Sequence, residues 1–299
     1  MKNITVIGSG TMGNGIAHCF AQNQFNVLLV DLSEDQLKKA ITTINKNLDR
    51  QVAKEVISTQ QKKETLDRIQ TSTVLKDSLK EADLIIEAVS ENITVKADLF
   101  KKMDALAPAH CILASNTSSI SITKLGSFTK RPEKVIGMHF MNPVPIMRLI
   151  EVIQGFKTDN DTLSQTLTVS KALDKTPLLS QDYPGFVANR ILLPMINEAI
   201  EALFQGVAGV SEIDQIMKLG MGHPMGPLQL ADFIGLDVCL SILNVLNEGF
   251  GNPKYAPCPL LVNMVQAGNL GVKSGVGFYD YRVDLKKPTV ASQFLSYGN

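Results

Sequence analysis

The chain has 299 residues, 44% of them hydrophobic and 19% charged, which is enough apolar material for a large core and two domains and excludes a disordered chain. Lysine plus arginine equals aspartate plus glutamate at 29 each, so no net charge draws the whole chain to nucleic acid or to a membrane surface. The four cysteines are widely spaced, no apolar run reaches the ~18–20 residues of a spanning helix, and no leader precedes the first strand pattern, which together predict a cytoplasmic protein with free thiols and no metal-ligand cluster.

In chain order, "NITVIG" at 3–8 is a short apolar run that ends in glycine, and helical periodicity follows through Ile16, Phe20 and Ala21. The junction reads "GSGTMG" at 8–13. Between a strand and a helix, Gly8 permits the tight turn, Gly10 lets the backbone approach a pyrophosphate, and Gly13 lets helix and strand pack closely. The helix N-terminus then offers unpaired N–H groups to the anion. Gly8, Ser9, Gly10, Thr11, Met12 and Gly13 are therefore candidate cofactor contacts.

A second run, "NVLLVD" at 26–31, ends in Asp31. An acid at that offset takes an adenosine ribose and repels a 2′-phosphate, favouring NAD over NADP; it reads alternatively as a solvated cap. "SEDQ" at 33–36 offers a capping box, Ser33 with Gln36, opening a long helix. That helix and its continuation to about Arg68 carry both charge signs and predict a projecting, solvated arm.

Further strands are predicted at 83–89, 111–116, 134–140, 148–153 and 176–180, with helical spacing at 95–107 and 160–174. Strands alternating with helices imply parallel βαβ units covered on both faces. The pattern changes at "DYPGF", 182–186, after which helices are expected at 186–205, 211–219, 227–248 and 258–268. The expected organisation is a Rossmann-type α/β domain with a mostly parallel sheet over 1–183, and an all-α domain over 184–299.

Two polar groups stand at strand ends. "SNTSSI" at 115–120 follows one strand with a cluster of hydroxyls and an amide, at the edge where open α/β sheets bind ligands. Turn and capping chemistry explains part of that cluster. "MHFMNP" at 138–143 places His139 at the matching end of the next strand, and "RLIEVI" places Glu151 inside an apolar run. Taken alone, His139 reads as a satisfied structural histidine and Glu151 as an edge residue. Beside a nucleotide site they read as an acid–base pair, since a buried carboxylate needs a partner and would orient the imidazole. Hydride transfer from an alcohol requires such a base near working pH.

"VIGSGTMGNGIA", "ASNTSSI", "GMHFMNPVPIMRLIEVI", "DYPGFVANRI", "GHPMGPLQLADFIGLD" and "GVGFYDY" together resemble the L-3-hydroxyacyl-CoA dehydrogenases, closest to their bacterial 3-hydroxybutyryl-CoA branch. The blocks run from residue 6 to 281, nearly the whole chain. The resemblance implies NAD as cofactor and a short-chain (S)-3-hydroxyacyl-CoA as substrate, the chemistry of fatty-acid β-oxidation and butanoate metabolism. It implies His139 as general base, Glu151 as its orienting partner, and Ser118 and Asn189 as hydrogen-bond partners of the substrate oxygen. Glu91, Lys96, Ser118, Asn142 and Lys273 are implied cofactor contacts. Lys54 in "NLDRQVAKE" matches a coenzyme A contact, and reads equally as a surface lysine. A homodimer through the helical domain is implied as well. Two rival readings remain: a dehydrogenase of a non-CoA 3-hydroxy acid or sugar acid on the same scaffold, and a dinucleotide-binding protein without turnover.

Overall fold

In the computed structural model, which describes residues 1–295, the N-terminal apolar run becomes β1 (Asn3–Ile7), and α1 (Thr11–Gln22) leaves it across the glycine loop. β2 (Asn26–Val30), α2 (Glu34–Ala53), α3 (Thr59–Asp67), β3 (Ile69–Ser72) and the single turn α4 (Leu75–Ser78) follow. Next come β4 (Leu84–Glu87), α5 (Ile93–Leu106), β5 (Ile112–Ser115), α6 (Ile122–Gly126) and β6 (Val135–Phe140). β7 (Leu149–Gln154), α7 (Asn160–Ala172) and β8 (Thr176–Gln181) complete a first unit, Met1–Phe186.

One eight-stranded sheet organises this unit in the order β3-β2-β1-β4-β5-β6-β7-β8. Every residue of β4, β5 and β6 is buried, as continuous apolar runs covered on both faces require. The pairing is parallel except between β6 and β7, which run antiparallel. The expectation of parallel units fails there for a simple reason. The connection from Phe140 to Leu149 is shorter than the roughly dozen residues a parallel crossover needs. The reversal sets His139 directly opposite Glu151 in the ladder, so both side chains emerge on one face. β3 was not expected at all: "IQTS" has no apolar run, and two of its four residues are exposed at the sheet edge.

The charged stretch after β2 forms two helices rather than one. Ser33 caps α2 by accepting from the Gln36 N–H, but the reciprocal capping box lies at Ser58 and Gln61, at the start of α3. The inner face of α2 buries Leu37, Ala40, Ile44 and Leu48 in the main core. Each of its leucines and its isoleucine contributes about 1.5–3 kcal/mol by leaving water, which fixes the charged outer face toward solvent.

The second unit, Val187–Asn299, is helical: α8 (Ala188–Phe204), α9 (Val210–Met221), α10 (Pro227–Ile234), α11 (Leu236–Phe250) and α12 (Pro259–Gln266), with a small ladder of β9 (Tyr279–Asp280) and β10 (Thr289–Val290). The helix expected over 227–248 is two helices bent by 97°. Gly235 makes the break at φ +101, a backbone state that a side chain would strain. Leu193, Ile196, Ile200, Leu236, Leu243 and Phe278 centre its own core. Among the described residues no single helix is long and apolar enough to cross a membrane.

Candidate active site

The carboxyl edge of the sheet gathers the polar residues. Gly8 sits at φ +97 with its α-carbon so close to Ala88 that a Cβ would lie 2.6 Å from the Ala88 carbonyl oxygen. Gly13 packs on Gly8 in the same way, where a Cβ would meet the Gly8 oxygen at 1.7 Å. Gly10 differs: a Cβ there would meet nothing within 4 Å. The first turn of α1 has no side-chain cap and no acidic residue. Its leading N–H groups are therefore available to an anion approaching over Gly10, and the loop fits a dinucleotide pyrophosphate.

Asp31 follows β2 beside this loop. Its carboxylate accepts from the Ser9 N–H and Ser9 hydroxyl, both at 2.8 Å, and from the Ser33 N–H at 3.1 Å. Partial burial opposes its charge, but the donors from Ser9, Ser33 and Leu32 outweigh that and hold the carboxyl below the ordinary aspartate range. A fixed negative charge here suits a ribose diol and opposes a 2′-phosphate.

Further along the edge, Asn116 ties two strand ends together by accepting the Phe140 N–H at 2.9 Å. His139 and Glu151 are both buried, and Nδ1 of the imidazole lies 3.1 Å from Glu151 Oε2. An ionised carboxylate only accepts, so Nδ1 carries the proton and Nε2 keeps its lone pair. That Nε2 lies 3.1 Å from the Ser118 hydroxyl. Phe186 sets its ring edge-on to the imidazole at a centroid distance of 6.0 Å, closing one side against water. Glu151, His139 and Ser118 thus form one line, with the imidazole oriented by the carboxylate and its second nitrogen turned to a hydroxyl.

Lys96 is not the surface lysine that the residue alone suggests. It is 1% exposed and its ammonium lies 2.6 Å from Glu87 and 3.2 Å from Glu91. Glu91 accepts from the Thr117 hydroxyl at 2.5 Å, the Ser119 hydroxyl at 2.8 Å, and the N–H groups of Ser118 and Ser119 at 3.1 and 3.2 Å. Burial works against its charge, yet Lys96 and these hydroxyls prevail and hold the Glu91 carboxyl below the usual glutamate range. Glu87, fully buried at the end of β4, escaped the sequence reading. Its signal was the one that exposed Glu151: an acid inside an apolar strand, here "DLIIEAV". Phe186 was read only as part of a break in pattern.

Asn142 is exposed and joined to Pro143 by a cis peptide. Lys54 stands exposed at the C-terminal end of α2. Asn189 and Lys273 belong to the second unit, Asn189 buried in the first turn of α8 and Lys273 ion-paired with Asp237. All four cysteines are buried and unbridged.

Comparison with known proteins identifies the family. Residues 3–183 match the NAD-binding domain of 3-hydroxyacyl-CoA dehydrogenase, and residues 185–281 match its C-terminal domain. A 3-hydroxybutyryl-CoA dehydrogenase of Bradyrhizobium diazoefficiens is 52% identical over 97% of this chain and 98% of its own length. A probable 3-hydroxybutyryl-CoA dehydrogenase of Bacillus subtilis is 49% identical over 94% of this chain and 98% of its own. Among solved structures, the (S)-3-hydroxybutyryl-CoA dehydrogenase of Ralstonia eutropha superposes with a TM-score of 0.91 at 47% identity, covering 94% of this chain and 99% of that one. The chain belongs to the 3-hydroxyacyl-CoA dehydrogenase family, and its first unit is that family's NAD-binding domain.

Proposed function

We propose that the protein interconverts (S)-3-hydroxyacyl-CoA and 3-oxoacyl-CoA, with short chains such as 3-hydroxybutyryl-CoA as its preferred substrates, and that His139 and Glu151 are its acid–base pair. The observation that carries this reading is the line Glu151–His139–Ser118, two contacts of 3.1 Å on the same sheet edge as the glycine loop. The similar proteins named above, matched along nearly their full length, support the substrate class and the short-chain preference.

Bound NAD supplies the hydride acceptor, and NADH the donor in reverse. In oxidation, His139 Nε2 takes the proton of the substrate hydroxyl as the carbon-bound hydrogen departs with its electron pair. Glu151 stabilises the imidazolium that results. In reduction the imidazolium returns the proton to the substrate oxygen. The Ser118 hydroxyl donates to that oxygen where negative charge develops, and Asn189 is proposed as a second donor on the resemblance. The glycine loop and Asp31 hold the dinucleotide, Glu91, Lys96, Asn142 and Lys273 contribute to its nicotinamide half, and Lys54 meets a coenzyme A phosphate. We further propose a cytoplasmic homodimer assembled through the helical unit, where Ile216 and Leu219 stand exposed on α9; a monomer mass in solution would remove the dimer.

Purified protein with acetoacetyl-CoA should consume NADH and leave NADPH largely untouched, read as loss of reduced-nicotinamide absorbance. No consumption of either cofactor would sink the proposal. Activity on free 3-hydroxy acids alone would favour the non-CoA reading, and tight NADH binding without any turnover the purely binding one. A kcat/KM that rises for acyl chains longer than four carbons would overturn the short-chain preference.

A further inference from the structure

Glu87 has no solvent exposure at the carboxyl end of β4, and the acid–base chemistry above does not use it. A buried carboxylate needs compensation, and this one receives three donors. Lys96 Nζ and the Ser115 hydroxyl each lie at 2.6 Å, and the Val89 N–H at 2.7 Å.

Two of those donors lead to the same segment. The Ser115 oxygen itself accepts the Thr117 N–H at 3.2 Å. The Lys96 ammonium continues to Glu91, which accepts the Ser118 and Ser119 N–H groups. Glu87 therefore has a neutral route and an ionic route to the loop that presents Ser118 to His139. The Glu91 side chain is 38% exposed, and the ammonium that it shares with Glu87 is fixed from behind by Glu87. Two carboxylates share one ammonium, and the carboxylate left in surplus is the one that binds the loop.

We infer that Glu87 is a positioning residue of the dehydrogenase site: by anchoring Lys96 and Ser115 together it fixes residues 117–119 and so keeps the Ser118 hydroxyl at the His139 ring. This rests on the reading of His139 and Ser118 given above.

The test uses the full chain, acetoacetyl-CoA and NADH. Glu87→Gln keeps the shape and an acceptor for Ser115 but releases Lys96. Its kcat should fall about 10–100-fold, the cost of a small misplacement of reacting groups, while KM for acetoacetyl-CoA moves by less than about twofold. In a double-mutant cycle, Glu87→Gln with Lys96→Met should lose no more activity than the worse single variant. Wild-type kcat in Glu87→Gln with only a lowered Tm, or losses that add in full, would overturn the inference. Should Glu87→Gln not fold, Ser115→Ala breaks the neutral route alone: a several-fold loss of kcat at constant KM supports the inference, and an unchanged kcat overturns it. An unmodified protein inactive on acetoacetyl-CoA would defeat the functional reading and this inference together, whereas an active one with an indifferent Glu87 defeats the inference alone.

Discussion

Both units bury carboxylates, and they hold them by opposite means. In the first, Glu87 faces the Lys96 ammonium and Glu151 faces the His139 imidazole. In the second, Asp232 accepts from the Phe278 and Tyr279 N–H groups and the Tyr281 hydroxyl. Asp214 accepts from the Leu228 and Gln229 N–H groups and the Tyr279 hydroxyl. Neutral donors only partly offset burial, which lifts the Asp232 carboxyl to about 7 and raises Asp214 as well. Lys96 is a cation and His139 becomes one when it takes a proton, so each of these carboxylates meets positive charge with its own. The second arrangement serves architecture instead, pinning the segment around β9 to α9 and α10. Gly226 and Gly277 show how tightly, since a Cβ at either would strike Asp214 or Asp232 within 2.5 Å.

The hardest blow to this contrast is aimed at the histidine. His139→Gln should lower kcat by about 10²–10⁴-fold, the usual worth of general acid–base catalysis, with NADH affinity by fluorescence titration little changed. Retained turnover would move the acid–base role elsewhere. Glu151→Gln should follow with a loss of about 10²-fold through misorientation of the ring. Asp232→Asn, assayed beside it, should leave kcat alone. If the two variants lose equally, the division between chemical and architectural carboxylates falls.

That division was only half legible in the sequence. Glu87 and Glu151 give the same signal, an acid within an apolar strand, yet only Glu151 was singled out, because His139 was already in view as its partner. The partner of Glu87 sits on the following helix, and periodicity in "ITVKADLF" does not say that Lys96 turns inward rather than to solvent. Most strands of the first unit were readable from their apolar runs, whereas β3, β9 and β10 were not. The reversal at β7 was not, since strand direction depends on the length of a connection whose ends must first be known. The break at Gly235 was hidden because apolar residues keep helical spacing on both sides of it, and an isolated glycine is tolerated within a helix. Asp214 and Asp232 left no trace: an aspartate in a helical pattern reads as part of the wet face until the tertiary fold covers it.

Stability sharpens the comparison further. Lys96→Met leaves Glu87 buried without its cation, a change that costs about 3–5 kcal/mol in comparable sites. Asp232→Asn keeps one acceptor oxygen but turns its NH2 toward an N–H that the carboxylate had accepted, and should cost about 1–3 kcal/mol, the scale of one unsatisfied buried donor. Denaturant melts at neutral pH would measure both. Equal losses would mean that charge pairing is not what distinguishes the two sets.

A dependence on pH also differs in sign between the units. Asp232 has a folded-state carboxyl at about 7, against ~3.9 in an unfolded chain. The folded protein therefore binds the extra proton between those values. The contribution of this group is complete below about pH 4 and is lost as pH rises through about 7, at no more than about 1.4 kcal/mol per unit. Asp31 and Glu91 in the first unit are held below their ordinary values, so their contributions are present above about pH 4 and are lost as pH falls. Melting temperatures at pH 6, 7 and 8 should decline toward the alkaline end in the unmodified protein. Asp232→Asn, which cannot titrate, should flatten that decline while leaving any acid-side loss intact. A full alkaline decline in Asp232→Asn would show that the titrating group lies elsewhere, and that neutral donors compensate a buried carboxylate as well as a lysine does.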